Sequence, residues 1–251
     1  MSYVTKEIIQ EVIKEMRSFE NNLNDVYASR GLSFRDNTGR RNAILSQAQE
    51  VFLSNALNRH GEISFVDGRT GQPDIVVESK RRELECKLTS GSGGSWSLQT
   101  DYATISKKSQ LDYIYILANQ NFDKFCVLFF EGLTKDDFHP PSPGSREKSR
   151  MNKTSAMSKC TVLAGDVSVK NEKMTEGYVS QVEDLLSSAA VKISEIDSRI
   201  YNTTAPKKKE VLESSRYNLI RRVSKKMYGL FEKAAWWSES PLQFSIELEE
   251  V

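Results

Sequence analysis

The side chains of this chain best suited to chemistry lie in residues 71–87, which hold Pro73, Asp74, Glu85, Cys86 and Lys87. Side chains on a strand alternate between its two faces. If residues 83–88 form a strand, Leu84, Cys86 and Leu88 point into a core, and Glu83, Glu85 and Lys87 point the other way. Asp74, at the start of a preceding strand of the same hairpin, then lies beside Glu85 and Lys87. Two carboxylates and a lysine suit a hard divalent cation and a phosphate. Mg2+ is commonly held by one or two carboxylates, with water and substrate phosphate completing its shell. Such an ion lowers the pKa of a bound water and offsets charge on a phosphate. Lys87 could orient that water, help deprotonate it, or stabilise the pentacovalent charge. The backbone carbonyl of Cys86, between the two functional side chains, is a further candidate ligand. A bare Glu-x-Lys is what any half-exposed strand shows. The added information is Pro73-Asp74 on the strand before it, together with the elements on either side.

Those elements are legible from periodicity. Ile9, Val12, Met16, Phe19, Leu23 and Val26 share one helical face. Residues 42–58 predict a second helix, with Ile44, Ala48, Val51, Phe52 and Leu57 as its apolar side and Gly61 beyond its end. Residues 63–66 predict a short strand. Residues 74–77 and 83–88 predict a hairpin joined by a polar turn. Next come a Gly/Ser loop at 90–95, a strand at 96–99 and a helix at 102–111. The near-continuous apolar runs 113–117 and 125–130 read as central strands buried on both faces. A proline-rich break at 139–144 precedes a basic stretch, 145–159, and a single strand at 161–169. In the last third, Val179, Val182, Leu186, Ala189, Ile193, Ile196 and Ile200 form a heptad-like seam, followed by a basic helix at about 207–233. The expected organisation is a core over 1–170 and an α-helical hairpin subdomain over 171–251.

Pro73-Asp74, ten residues, then Glu85-Cys86-Lys87 resembles the PD-(D/E)xK nuclease superfamily, and residues 42–130 resemble its common core. The length and the extra basic and helical elements are most like a type II restriction endonuclease. The resemblance implies an α/β fold, with a mixed central sheet flanked by helices. It implies Asp74 and Glu85 as the carboxylates for Mg2+, Lys87 as the catalytic lysine, and Glu50, on the preceding helix, as an assistant to metal or water. It also implies double-stranded DNA as substrate and a cognate DNA methyltransferase in the same system. The Gln-and-Tyr motif that some members carry is absent, since Gln110 and Tyr113 have the wrong spacing.

With 35 Lys+Arg against 34 Asp+Glu, the net charge of +1 makes no global case for nucleic acid, so local clusters must supply one. Three qualify as DNA contacts: Arg35, Arg40 and Arg41; Ser92 and Gln99, in and after the Gly/Ser loop; and Arg146, Lys148, Arg150, Asn152 and Lys153. Arginine and asparagine can pair bidentately with guanine and adenine edges. Cutting both strands of a palindrome favours a homodimer. Three cysteines, far apart and odd in number, argue against a disulfide framework or a zinc site, and for a reducing cytoplasm. The charged N-terminal helix is unlike a signal peptide, and no apolar run reaches the roughly 18–20 residues of a membrane span. His60 and His139 are isolated, so histidine-based nuclease chemistry has no support. A repair or structure-specific nuclease with the same core, a non-catalytic DNA-binding protein, and a helical scaffold are the alternatives.

Overall fold

The computed structural model describes residues 2–67, 69, 72–91, 96–141 and 148–251. Helix α1 (Lys6–Ala28) starts where the Thr5 hydroxyl accepts the Ile8 N–H, and it buries Ile8, Ile9, Val12, Ile13 and Met16. Val26, expected on that face, is 59% exposed. Helix α2 (Thr38–Arg59) is capped by Asn37, whose side chain accepts the Arg40 N–H. Its buried face is rotated from the expected one: Leu45, Gln49, Leu53, Ala56 and Leu57 are buried, whereas Val51 is exposed. Arg41 and Gln49 sit on the inner face, so apolar spacing alone points to the wrong side.

Strands β1 (Ser64–Val66), β2 (Ile75–Val77) and β3 (Arg82–Ser90) form the expected antiparallel meander, with Ile75 opposite Leu84. The turn into β3 passes through Arg81 at φ 54°. Strand β4 (Gln99–Asp101) leads into a single turn of helix, α3 (Tyr102–Ser106), shorter than expected because Leu111 already belongs to the next strand. Strand β5 (Leu111–Ala118) runs parallel to β3, and β6 (Lys124–Leu133) returns antiparallel. Every residue of β5 is buried, as expected of a central strand.

Strand β7 (Lys148–Arg150) pairs with β4, not with the main sheet. Helix α4 (Lys153–Ala156) follows. The single strand expected at 161–169 is two, β8 (Cys160–Ala164) and β9 (Asp166–Val169), broken at Gly165. Gly165 has φ +75°, and a Cβ there would come within 2.5 Å of the Glu247 carbonyl oxygen, so only glycine fits.

The chain divides into two units, Met1–Ser168 with Phe244–Val251, and Val169–Gln243. The second unit holds α5 (Lys170–Tyr201) and α6 (Pro206–Glu239). Val182, Ala189, Leu212, Leu230 and Ala234 form its interior, and Arg216 Nε reaches Asp197 Oδ1 at 2.6 Å. The heptad seam is only partly used: Val179 and Leu186 remain 40% and 46% exposed. The helical subdomain expected over 171–251 ends at Gln243, and its second helix runs past the expected end at about residue 233 to Glu239. Strands β10 (Phe244–Glu247) and β11 (Glu249–Glu250) return to the first unit, where β10 pairs with β9, and β11 with β6.

The main sheet is therefore seven-stranded and mixed, in the order β1-β2-β3-β5-β6-β11, with β8 also on β6. Two apolar layers cover it. On one face, α1 and α2 pack over Leu84, Cys86, Ile114, Ile116, Val127 and Phe129. On the other, Trp96, Leu98, Ile105, Phe138 and Met151 pack over Tyr113, Tyr115, Leu128 and Phe130. Each fully buried large apolar side chain contributes about 1.5–3 kcal/mol. The architecture is α/β: a mixed central sheet flanked by helices, with a C-terminal helical region. Among the described residues, no helix is long and apolar enough to cross a membrane.

Candidate active site

Strand β3 places Glu85 and Lys87 on the face opposite Leu84 and Cys86. Lys87 Nζ lies 2.5 Å from Glu85 Oε1. The hairpin register sets Asp74 across from Glu85, and Asp74 Oδ2 accepts the Cys86 N–H at 2.7 Å. That bond fixes the carboxylate against the strand carrying the other two groups. Glu85 is 4% exposed, and its Oε2 is buried without a hydrogen-bond partner. Burial of such an oxygen is costly unless something satisfies it.

The groups share one electrostatic field. Burial raises Glu50 to about 7, helped by Asp74 and Glu85 and opposed by Lys87. Burial also raises Asp74 and Glu85 above the usual carboxylate range, with Lys87 pulling both back. Burial alone would lower Lys87, but Glu85, Asp74 and Asp101 outweigh it and raise the ammonium above its ordinary value. Lys87 is thus held as a cation. Burial and the nearby carboxylates push the Cys86 thiol well up, so its sulfur offers no thiolate, and the backbone carbonyl is the ligand left to it.

Among the described residues, no group of three or more His, Cys, Asp or Glu side chains is gathered tightly enough to hold a metal ion as the chain stands. The donor chemistry nevertheless fits a divalent cation. Asp74, Glu85 and Glu50 supply hard oxygens, their proton affinity is raised chiefly by burial and then by neighbouring carboxylates, and Glu85 Oε2 is left without a partner, so a cation there would offset the cost of their charged forms.

The expected DNA contacts divide. Gln99, Lys148 and Arg150 come together on the β4–β7 ribbon, where Gln99 pairs with Arg150 and Asp101 with Lys148. Arg40 is exposed at the start of α2. The Arg35 guanidinium is engaged by Glu20, at 2.9 and 2.7 Å. Arg41 is a correction: it is 0% exposed and cannot touch DNA. Its guanidinium donates to Ser90 Oγ at 2.7 Å and to the Gln120 carbonyl, and stacks over Phe122 at 5.2 Å. Arg41 therefore ties the end of β3 to the β5–β6 turn. Asn152 is half-buried, and its backbone N–H donates to the Asp137 carbonyl. Lys153 Nζ donates to the Trp96 carbonyl at 2.7 Å and is lowered by burial, so its role is internal. Ser92 and Arg146 lie outside the described residues.

Three residues near the cluster escape sequence reasoning. Asp101 ends β4, and its charge acts on Asp74, Glu85 and Lys87. Tyr113 and Tyr115 stand beside Glu85 and Lys87 in the parallel register. Tyr113 shares a 3.1 Å hydrogen bond with Thr100 Oγ1, and the Tyr115 hydroxyl donates to the Gln99 carbonyl at 3.1 Å. Two phenols thus anchor β4 over the face carrying Glu85 and Lys87. The only sequence signal was the alternation of Tyr113 and Tyr115 in an otherwise aliphatic run. No family model, curated protein or solved structure matches this chain.

Proposed function

We propose that the chain is a Mg2+-dependent, site-specific endonuclease of the PD-(D/E)xK type, hydrolysing phosphodiester bonds in double-stranded DNA as a type II restriction enzyme does. The observation that carries this reading is the convergence of Asp74, Glu85 and Lys87 at one point of the β2–β3 hairpin, with the charge of Glu50 reaching it from α2. Asp74, Glu85 and Glu50 would hold the cation, together with the Cys86 carbonyl. When bound, the cation would acidify a water and offset the charge of the phosphate. Lys87, an ammonium 2.5 Å from Glu85, acts as a fixed positive charge beside the reacting phosphoryl oxygens. The carboxylates that hold the cation also repel the phosphate backbone, so cleavage depends on the cation being present. Water bonds to phosphorus and gives up a proton to solvent, one ester P–O bond breaks, and the leaving oxygen takes up a proton from a second water. Cutting both strands at a symmetric site calls for two such centres, hence a homodimer on a palindrome.

The test is digestion of several unmethylated DNAs in excess Mg2+, with EDTA and Lys87→Ala controls. Discrete bands that vanish in both controls are expected. Cleavage that Lys87→Ala leaves intact would overturn the assignment. A smear lost in both controls would keep the site but move the function to a repair or non-specific nuclease.

A further inference from the structure

The β4–β7 ribbon differs from the rest of the basic surface in having one face committed inward and the other open. Thr100 and Ser149, paired in register, are 2% and 1% exposed, whereas Gln99, Asp101, Lys148 and Arg150 alternate outward. The inward face is fastened where chemistry would occur. Thr100 meets the Tyr113 hydroxyl and the Gln99 carbonyl accepts from Tyr115, and these tyrosines are the register neighbours of Glu85 and Lys87.

We infer that this ribbon is the element that reads DNA sequence, with Arg150 and Gln99 as its base-contacting pair; the inference rests on the nuclease reading above and names how its substrate is selected. Arg150 is exposed, and its guanidinium has no hydrogen bond or ion pair among the described residues. Gln99 is lightly held, Nε2 donating to Ser97 Oγ at 2.9 Å. Arginine presents a planar fork that matches guanine O6 and N7, and glutamine matches adenine N6 and N7. Of the other candidates, Arg41 is buried, Arg35 is on Glu20 and Lys153 is on the Trp96 carbonyl, while the exposed Arg40 belongs to α2, which packs on the other face of the sheet.

The ribbon is also stiff, as a reading element must be. The Arg150 carbonyl accepts the His139 N–H at 2.8 Å, and the Met151 N–H donates to the Leu98 carbonyl at 2.8 Å, so the strand is bonded on both sides. A two-stranded ribbon fits the major groove of B-DNA, about 12 Å wide. The two outward pairs have different surroundings. Asp101, opposite Lys148, carries a negative charge that the phosphate backbone repels, whereas the Gln99–Arg150 pair carries none.

The experiment uses the full chain carrying Lys87→Ala to prevent cutting, with duplexes selected from a randomised library and binding measured on the selected and a scrambled duplex. Arg150→Ala, Arg150→Lys and Gln99→Ala are compared in that background. Their thermal transitions should match the parent, since both side chains point outward. All three are expected to weaken the selected duplex by roughly tenfold to a hundredfold, and each should erase the preference at one base pair. Arg150→Lys should leave the scrambled duplex nearly unchanged, because it keeps the charge and loses only the fork. If Arg150→Lys binds the selected duplex like the parent, Arg150 is a phosphate contact and the inference fails. It also fails if the parent binds every duplex equally, even where the wild-type chain cleaves DNA and the nuclease reading stands. Absence of both binding and wild-type cleavage would sink the two together.

Discussion

Replacing Glu50 by glutamine should stabilise the metal-free protein at pH 8 while changing little at pH 5. In the folded chain Glu50 sits at about 7 instead of the usual 4.5, chiefly from burial and then from the charges of Asp74 and Glu85. The folded state therefore keeps this proton to higher pH than the unfolded state. Stability falls as pH rises from 4.5 to about 7 and is flat above, because the unfolded chain binds fewer protons throughout that window. The displacement corresponds to roughly 3 kcal/mol on the ionised form. Glu50 is only half-buried, so water screens part of it, leaving about 1–2 kcal/mol. Glutamine mimics the protonated acid without the penalty. Urea unfolding in EDTA, with Trp236→Phe and Trp237→Phe so that Trp96 reports on its own unit, would measure the difference at both pH values. Excess Mg2+ should narrow the gap by supplying the positive charge the site lacks. A Gln variant whose advantage is the same at pH 5 and pH 8, or absent at both, would remove Glu50 from the field of Asp74 and Glu85, and from the site.

Two further outcomes follow from the packing. Arg41→Ala should cost about 3–4 kcal/mol in thermal or urea unfolding, because it empties a buried volume and strands the carbonyls of Asn119 and Gln120. A loss below about 0.5 kcal/mol would return Arg41 to the surface role its sequence position suggests. Gly165→Ala should destabilise by at least about 2 kcal/mol, since φ +75° and the close approach of Glu247 and Cys126 leave no place for a methyl group. Unchanged stability there would mean that β8 and β9 can join as one strand.

What the sequence made legible is local. The β2–β3 hairpin, its alternation, and the two central strands all follow from spacing within a dozen residues, and the three groups on the hairpin are found by the same reasoning. What it hid is non-local or polar. The inner face of α2 carries Arg41 and Gln49, so counting apolar residues selects the neighbouring face. The pairing of β11 with β6 joins residues over a hundred positions apart, and the alternation of Phe244, Ile246 and Leu248 announces a strand without saying which sheet it joins. Asp101 gains its place only because β4 pairs with β7 and is pinned by two tyrosines, contacts no local pattern encodes. Basic residues were easy to name as DNA contacts and hard to sort, since exposure and prior engagement separate Arg150 from Arg41 and Lys153.

The return of the chain after α6 makes the helical hairpin an insert in its host. Because β9 and β10 are hydrogen-bonded neighbours, the chain leaves and re-enters the first unit about one strand spacing, roughly 5 Å, apart. Adjacent ends ask little of the host in closure entropy, and that cost grows only slowly with the length of the insert. The hairpin can thus be lengthened, shortened or exchanged over evolution without shifting the register of β3. The strand carrying Glu85 and Lys87 and the helical arm are free to diversify at different rates.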